Sequence, residues 1–410
     1  MGETNMRSEP KISLTSQQDP KKSKKRFESI PLVDRNEGTS PLLSFFIPSL
    51  EQGGAEQVTI NLVNGLSARG YNVELLLAKT DGNLHSQVSS DVDMVTLPPS
   101  RSPVFGVVLN FPALVGYLRR REPAILFSHL SRANVISIAA NRLINADTVV
   151  AATHHDAGGT EMNRDLKTWA LNRLVPLLYP SSDWIIAVSE GVAESIVERT
   201  SVERENVIVL YNPIDIDSIK SQARCAVEHR WIEDDDIEVI LYVGRLTEQK
   251  DLNTWIRAFK KVHAQNPDTR GIIAGKGGMR EELQAYAERH GIADVVSIPG
   301  YIENVYGYMQ RADVFLLSSR YEGLPSVLIE ALACGCPVVA TDCPSGPKEI
   351  LGDGNYGRLR PVGDADGLAE AVVESLNHPT PQEELISRAD DFATGPALDR
   401  YERFLENVLD

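Results

Sequence analysis

The sequence predicts an α/β protein with two doubly wound, Rossmann-like parallel sheets, on three observations. Short continuous apolar runs alternate with segments that are apolar at helical spacing along most of the chain. Such runs suit strands buried on both faces, as parallel sheets require. The alternation is interrupted near Asn212–Asp215, by a turn containing Pro213, and then restarts. The chain has 410 residues, 42% of them hydrophobic, enough for two cores.

Residues 1–40 are rich in Ser, Gln, Pro, Lys and Glu and poor in large apolar residues, which predicts a disordered tail. Lys21, Lys22, Lys24, Lys25 and Arg26 make it locally basic, either as solvated charge or as a tether to anionic lipid. Order begins at "PLLSFFIPSL", a strand, followed by the glycine pair Gly53-Gly54. Val58, Ile60, Leu62, Val63 and Leu66 then form a helical face ended by Gly70, and "NVELLLA" is the next strand. This is a βαβ unit with glycines at the turn where α/β sheets bind ligands. "DMVTL", "AILFSHL", "TVVAATHHD" and "DWIIAVS" continue as strands between helices, one of which ends in Arg119, Arg120 and Arg121. His129, His154 and His155 fall at neighbouring strand ends, where open sheets keep their chemistry. They are candidates for function, or hydrogen-bonded structural residues.

After the strand "NVIVLYNP" the chain reads as irregular, and then the alternation resumes with "VILYVG", "GIIAG", "VVSIPG", "DVFLLSS", "CPVVAT" and "GRLRP" as strands. Leu398, Tyr401, Phe404, Leu405 and Val408 line one face of a last amphipathic helix. The predicted units are a tail over 1–40, a first domain over 41–212 joined by a helix at about 395–410, and a second domain over 213–394.

The net charge of −16 argues against nucleic acid as a partner. Four cysteines are too few for a disulfide framework, and Cys334 and Cys336 have no second pair with which to hold zinc. No apolar run reaches the ~18 residues of a membrane span. A reducing, cytoplasmic setting is expected. G-x-G-x-x-G is absent, which counts against a dehydrogenase. "GIIAGKGG" has three residues between Gly271 and Gly275, and Gly277 rather than Ser or Thr follows Lys276, so it is not an ATPase loop. Asp91/Asp93, Asp215/Asp217 and Asp234–Asp236 lie away from the strand ends, and no metal is expected.

The chemistry concentrates in "SSRYEGLPSVLIEALACGC". It reads as a strand end, a tight turn and a helix, with Pro325 in the first turn and Gly335 just past the end. A helix start attracts anions, and carboxylates accept hydrogen bonds from hydroxyls. Glu322 in the turn and Glu330 in the helix therefore suit a ligand with phosphates in the middle and sugars at both ends, although two solvated acids on a buried helix would read the same. In "VGRLTEQKD", Arg245 and Lys250 follow a strand and could clamp a diphosphate, Arg by a planar fork and Lys as a point charge, or simply be solvated.

Glu322 and Glu330 are separated by seven residues, and this E-x7-E spacing resembles that of retaining glycosyltransferases. "GGAEQ", "AVSEGVAE", "YNPID", "YVGRLTEQKD", "EGLPSVLIEALACGCPVVATD" and "SGPKEIL" occur in the order seen in glycosyltransferase family 4, the glycosyl transferases group 1 with the GT-B fold. The likeness spans about four fifths of the chain, from Pro41 to Val372. It implies two Rossmann-like domains facing across a cleft, with the acceptor on the first, the nucleotide sugar on the second, and the last helix crossing back. It also implies that Arg245 and Lys250 bind the donor diphosphate. Glu322 would approach the sugar hydroxyls, Gly323 and Leu324 would offer backbone N–H groups, and Glu330 would bind the ribose. Ile302 would contact the base through its backbone. Gly54 would let phosphate and acceptor approach, and His154 would contact the transferred sugar.

The implied activity is retaining transfer from a nucleoside diphosphate sugar, UDP-sugars first and GDP-sugars next, to a hydroxyl of a glycan or lipid-linked glycan in surface-polysaccharide or glycolipid assembly. No cofactor or metal is expected beyond the donor itself. Peripheral contact with an anionic membrane is suggested by Arg119–Arg121 beside Phe105, Val108, Leu109, Leu114 and Leu118, and by Lys167 and Arg173 beside Trp169, Leu174 and Leu178. The alternatives are a GT-B epimerase or phosphorylase, for which no matching pyridoxal lysine is present, and an inactive relative acting as a binding subunit.

Overall fold

The computed structural model describes residues 40–51, 53–79, 82–98, 110–155 and 173–409. The basic cluster of the tail, together with Phe105, Val108, Leu109, Lys167 and Trp169, lies outside the described residues.

The first part of the chain alternates β1 (Leu42–Ile47), α1 (Gly54–Ala68), β2 (Asn72–Leu77), β3 (Asp93–Thr96), α2 (Phe111–Arg121), β4 (Ile125–His129), α3 (Ser131–Ile144), β5 (Val149–His154), β6 (Trp184–Ala187), α4 (Glu190–Arg199) and β7 (Val207–Val209). The strands pair in parallel in the order β3-β2-β1-β4-β5-β6-β7. The central strands are apolar because helices cover both faces, and Phe45 of β1 stacks on Phe127 of β4 at 4.5 Å. A buried exception is Glu74 of β2. It accepts from the Tyr117 hydroxyl and pairs at 3.0 Å with Arg121, so one of the three exposed arginines ending α2 partners a core carboxylate.

The second part comprises α5 (Ile216–Ala223), β8 (Glu238–Val243), α6 (Leu252–Gln265), β9 (Thr269–Ala274), α7 (Arg280–Arg289), β10 (Val296–Gly300), α8 (Tyr306–Arg311), β11 (Val314–Leu317), α9 (Ser326–Ala333), β12 (Val338–Thr341), α10 (Pro347–Ile350), β13 (Arg358–Arg360), α11 (Ala365–Asn377), α12 (Gln382–Asp390) and α13 (Thr394–Leu409). Its six strands run β10-β9-β8-β11-β12-β13. Each sheet therefore reverses direction once, between β1 and β4 and between β8 and β11, and such switch points open a crevice beyond the strand ends.

Two segments differ from the sequence reading. The stretch after Pro213, read as irregular, contains α5, whose start is capped by Asp215 accepting from the Ser218 N–H at 3.0 Å. Helix α12 was not read separately from the chain around it.

The chain passes between the sheets twice, and the two passages lie side by side. The Ile214 N–H donates to the Phe392 carbonyl at 3.1 Å, and the Thr394 N–H donates to the Ile214 carbonyl at 3.0 Å. Helix α13 then packs on α1 and buries Leu398, Tyr401, Phe404, Leu405 and Val408 in the core of the first sheet. Gly65 permits this contact, since a Cβ there would stand 2.5 Å from Leu398 Cδ1. Among the described residues no helix is long and apolar enough to cross a membrane.

Candidate active site

The loops after β8 and β11 meet at the switch point of the second sheet. The buried Tyr242 hydroxyl, near the end of β8, donates to the Arg245 carbonyl at 3.0 Å and fixes the loop from below. The exposed Arg245 guanidinium donates to Gln249 Oε1 at 3.2 Å, and Gln249 Nε2 in turn donates to the Tyr321 carbonyl at 2.9 Å. Lys250 ends a short turn and points inward, where its Nζ donates to Glu322 Oε1 at 2.5 Å. The same oxygen accepts the Ser319 hydroxyl at 2.5 Å, while Ser318 Oγ donates to the Lys250 carbonyl at 2.8 Å.

Of the two readings of Lys250, simple solvation does not hold. Lys250 is not a solvated surface cation: it is 9% exposed and neutralised by a carboxylate that is itself 6% exposed. The cause is the stitching just described, which draws the loop after β8 under the turn after β11. Only Arg245 of the two cations stands free toward solvent.

Gly323 and Leu324 are buried in the turn before α9, and the helix itself starts at Ser326, one residue after Pro325. The Gly323 carbonyl accepts from Ser345 Oγ at 2.8 Å and from Ser189 Oγ at 3.0 Å. Ser189 lies just past β6 of the first sheet, so the carboxyl ends of the two sheets face one another here. Glu330 lies one turn into α9, and desolvation pushes its carboxyl up to about 7. Ile302 is half-buried just past β10. The end of β10 is tied to the loop after β9 by Gly275 N–H to Gly300 carbonyl at 2.7 Å, and that loop is tied to the loop after β8 by Leu246 N–H to Lys276 carbonyl at 2.8 Å.

In the first sheet, Gly54 opens α1 beyond β1, and a Cβ there would meet nothing within 4 Å. Among the described residues nothing therefore requires glycine at this position, and open space is what an approaching ligand needs. The histidines divide by strand alternation. His154, at the end of β5, lies 3.1 Å by Nδ1 from the Tyr179 hydroxyl, which also accepts from Asn134 at 3.0 Å. His155 turns the other way, its Nε2 3.3 Å from His129 Nδ1. His129 is fully buried, and desolvation followed by repulsion from His155 lowers its pKa well below the usual imidazole value, so it is neutral.

The structure thus gathers Arg245, Lys250, Glu322, Gly323 and Leu324 at one switch point, with Glu330 on the adjoining helix and Ile302 beyond β10. It places Gly54 and His154 on the other sheet. Sequence reasoning missed Ser189, Ser345 and Gln249, whose contacts join distant segments, and Ser319, whose hydroxyl reaches Glu322 three residues on. Among the described residues no group of three His, Cys, Asp or Glu side chains is arranged to hold a metal ion.

Residues 52–218 match the family described as Glycosyltransferase Family 4, and residues 228–392 match Glycosyl transferases group 1. The chain is 30% identical, over 82% of its length and 90% of the relative's, to the N-acetylgalactosamine-N,N'-diacetylbacillosaminyl-diphospho-undecaprenol 4-alpha-N-acetylgalactosaminyltransferase of Campylobacter jejuni. It is 26% identical, over 85% and 92% of the two lengths, to an alpha-1,4-N-acetyl-D-galactosaminyltransferase of the same organism acting on GalNAc-alpha-(1->4)-GalNAc-alpha-(1->3)-diNAcBac-PP-undecaprenol. Anabaena HepE, crystallised with UDP and glucose, superposes with a TM-score of 0.72 at 19% identity, over 90% of this chain and all of that one. This last likeness speaks for the fold, the two-domain GT-B arrangement.

Proposed function

The chain belongs to the glycosyltransferases of family 4, the glycosyl transferases group 1, and from that premise we propose that it is a retaining enzyme using a nucleoside diphosphate sugar, a UDP-sugar before a GDP-sugar. The acceptor is a hydroxyl of a glycan or lipid-linked glycan in surface-polysaccharide assembly, as the printed activities of the Campylobacter relatives suggest. The observation that carries this reading is the buried Lys250–Glu322 pair beneath Arg245 at the start of α9. A buried ion pair is weakly stabilising at best, so its presence at a ligand crevice favours a binding role.

In the proposed step the donor diphosphate lies over the start of α9. Arg245, Lys250 and the N–H groups of Gly323 and Leu324 take up its developing charge. Lys250 exchanges its contact with Glu322 for the diphosphate, and Glu322 is released to accept from the sugar hydroxyls. The anomeric C–O bond to the diphosphate breaks. The acceptor oxygen bonds to the same face of that carbon, and its proton passes to the departing phosphate oxygen. Glu330 accepts from the ribose, Ile302 offers its backbone to the base, Gly54 leaves room for the acceptor, and His154 contacts the transferred sugar. A cytoplasmic enzyme at an anionic membrane face fits a lipid-linked acceptor. Flotation with anionic vesicles at low salt tests that placement, and absence from them would indicate a soluble acceptor.

The test of the donor is thermal unfolding with UDP, GDP, ADP and CDP. Ligand at 100 times its dissociation constant adds about 2.7 kcal/mol. UDP should give the largest shift, and no shift with any nucleotide would overturn the reading. The anomeric configuration of the product, read by NMR, tests retention.

A further inference from the structure

The Gly323 carbonyl is held by two hydroxyls from opposite sides of the domain boundary, Ser345 Oγ and Ser189 Oγ, which are 2.6 Å from each other. The Gly323–Leu324 peptide is planar and trans, so its C=O and N–H point in opposite directions. Drawing the carbonyl toward the two serines therefore aims the Leu324 N–H away from them. We infer that Ser189, although carried by the first domain, is a positioning residue for the nucleotide site of the second, so that contact between the domains sets how well the diphosphate is bound.

Three further observations support a built contact. The Glu349 carboxylate, in α10 of the second domain, accepts the backbone N–H of Glu190 at 3.1 Å and the Tyr211 hydroxyl at 2.5 Å. It thereby puts negative charge at the start of α4, where the helix dipole favours it. Gly191 marks how closely the domains approach, since a Cβ there would stand 2.9 Å from Ser345 Cα. Ser345 itself has φ 70°, a costly value for a residue with a side chain, held at the point of contact. The polar groups here are matched in pairs: the serine hydroxyls meet a carbonyl, and a carboxylate meets an N–H and a phenol. Leaving any of them buried without its partner would cost free energy, which favours the closed arrangement.

This inference rests on the donor-site reading above. Its test uses Gly191→Ala, Ser189→Ala and Ser189→Thr in the full chain, with UDP as the probe in titration calorimetry. Alanine at position 191 suits helix α4 but pushes Ser345 away, so the ligand-free protein should keep its thermal midpoint while UDP binds about tenfold more weakly. Ser189→Ala also removes the cap on the Val192 N–H, so its midpoint falls along with its affinity. Ser189→Thr keeps the hydroxyl and should restore both. Wild-type UDP affinity in both alanine variants would overturn the inference. Failure of the wild-type protein to bind UDP or GDP would instead overturn the donor-site reading beneath it.

Discussion

Among the described residues, the groups past the strand ends at and beside the switch point of the N-terminal sheet include the neutral, buried His129, the open backbone of Gly54 and the Asn134–Tyr179–His154 chain of hydrogen bonds. At the corresponding place in the C-terminal sheet stand Arg245, Lys250 and Glu322, two of them buried as an ion pair. The strand order up to the sixth strand is the same in both. The scaffold therefore does not choose the ligand; the loops do. On the reading proposed above, one crevice receives hydroxyl groups, which need partners but no countercharge, and the other an anion, whose desolvation needs opposite charge already in place.

The sharpest way to break this comparison is at the ion pair. Lys250→Ala should cut turnover about 10²- to 10³-fold, and it should also destabilise the protein by about 3–5 kcal/mol, because Glu322 is left buried and unpaired. Arg245→Ala should lose similar turnover and almost no stability, since its guanidinium is exposed. Urea unfolding beside a turnover assay separates the two. A Lys250→Met, Glu322→Leu double variant that recovers stability without activity would assign the pair to binding, and near-normal turnover in both single variants would remove the diphosphate clamp. On the hydroxyl-binding side, His154→Ala should slow turnover only about tenfold, the scale of one hydrogen bond, and leave UDP affinity unchanged. A drop in UDP affinity would mean that the two crevices are not separate in function.

Glu330 offers a smaller effect with a definite sign. Between the ordinary carboxyl value of 4.5 and about 7 the folded protein holds a proton that the unfolded chain has lost. The stability contributed by this group is therefore present at acid pH and is lost as pH rises toward about 7. Ribose binding runs the opposite way, since the ionised carboxylate is the better acceptor, so UDP affinity should rise a few-fold as pH passes about 7. Calorimetry on either side of that pH, repeated with Glu330→Gln, checks it, and a pH dependence that survives the substitution would assign the titration elsewhere. The smallest expected effect is none: excess EDTA should leave turnover intact, because on the proposed reading Arg245 and Lys250 neutralise the diphosphate in a metal's place. Activity lost in EDTA and restored by Mg²⁺ would mean that a metal takes that role.

Much of this was legible in the chain. The apolar runs announce buried parallel strands, and the spacing of Glu322 and Glu330 around a Gly-Leu-Pro turn announces the helix start. The pairing of Lys250 with Glu322 was not, because the two lie 72 positions apart and the loop around Lys250 is hydrophilic enough to read as solvated. Nor could "AVSEGVAE" reveal that its serine reaches Gly323, 134 positions away. Local pattern reports which face of an element is apolar, whereas these contacts depend on how loops from separate elements come together. The two adjacent histidines show the same limit, since only the pleat at the end of β5 settles that His154 meets Tyr179 and His155 meets His129.

The two side-by-side passages between the sheets have a consequence for synthesis. The segment from Ile214 to Ala393 is a complete α/β unit, continuous in sequence, whereas the sheet made first lacks part of its core until residues 394–409 arrive to cover Phe127 and Trp184. Domains ordinarily fold in the order in which they emerge from the ribosome. Here the order is inverted: the second domain can finish while the first still waits, with an apolar flank uncovered, for α13.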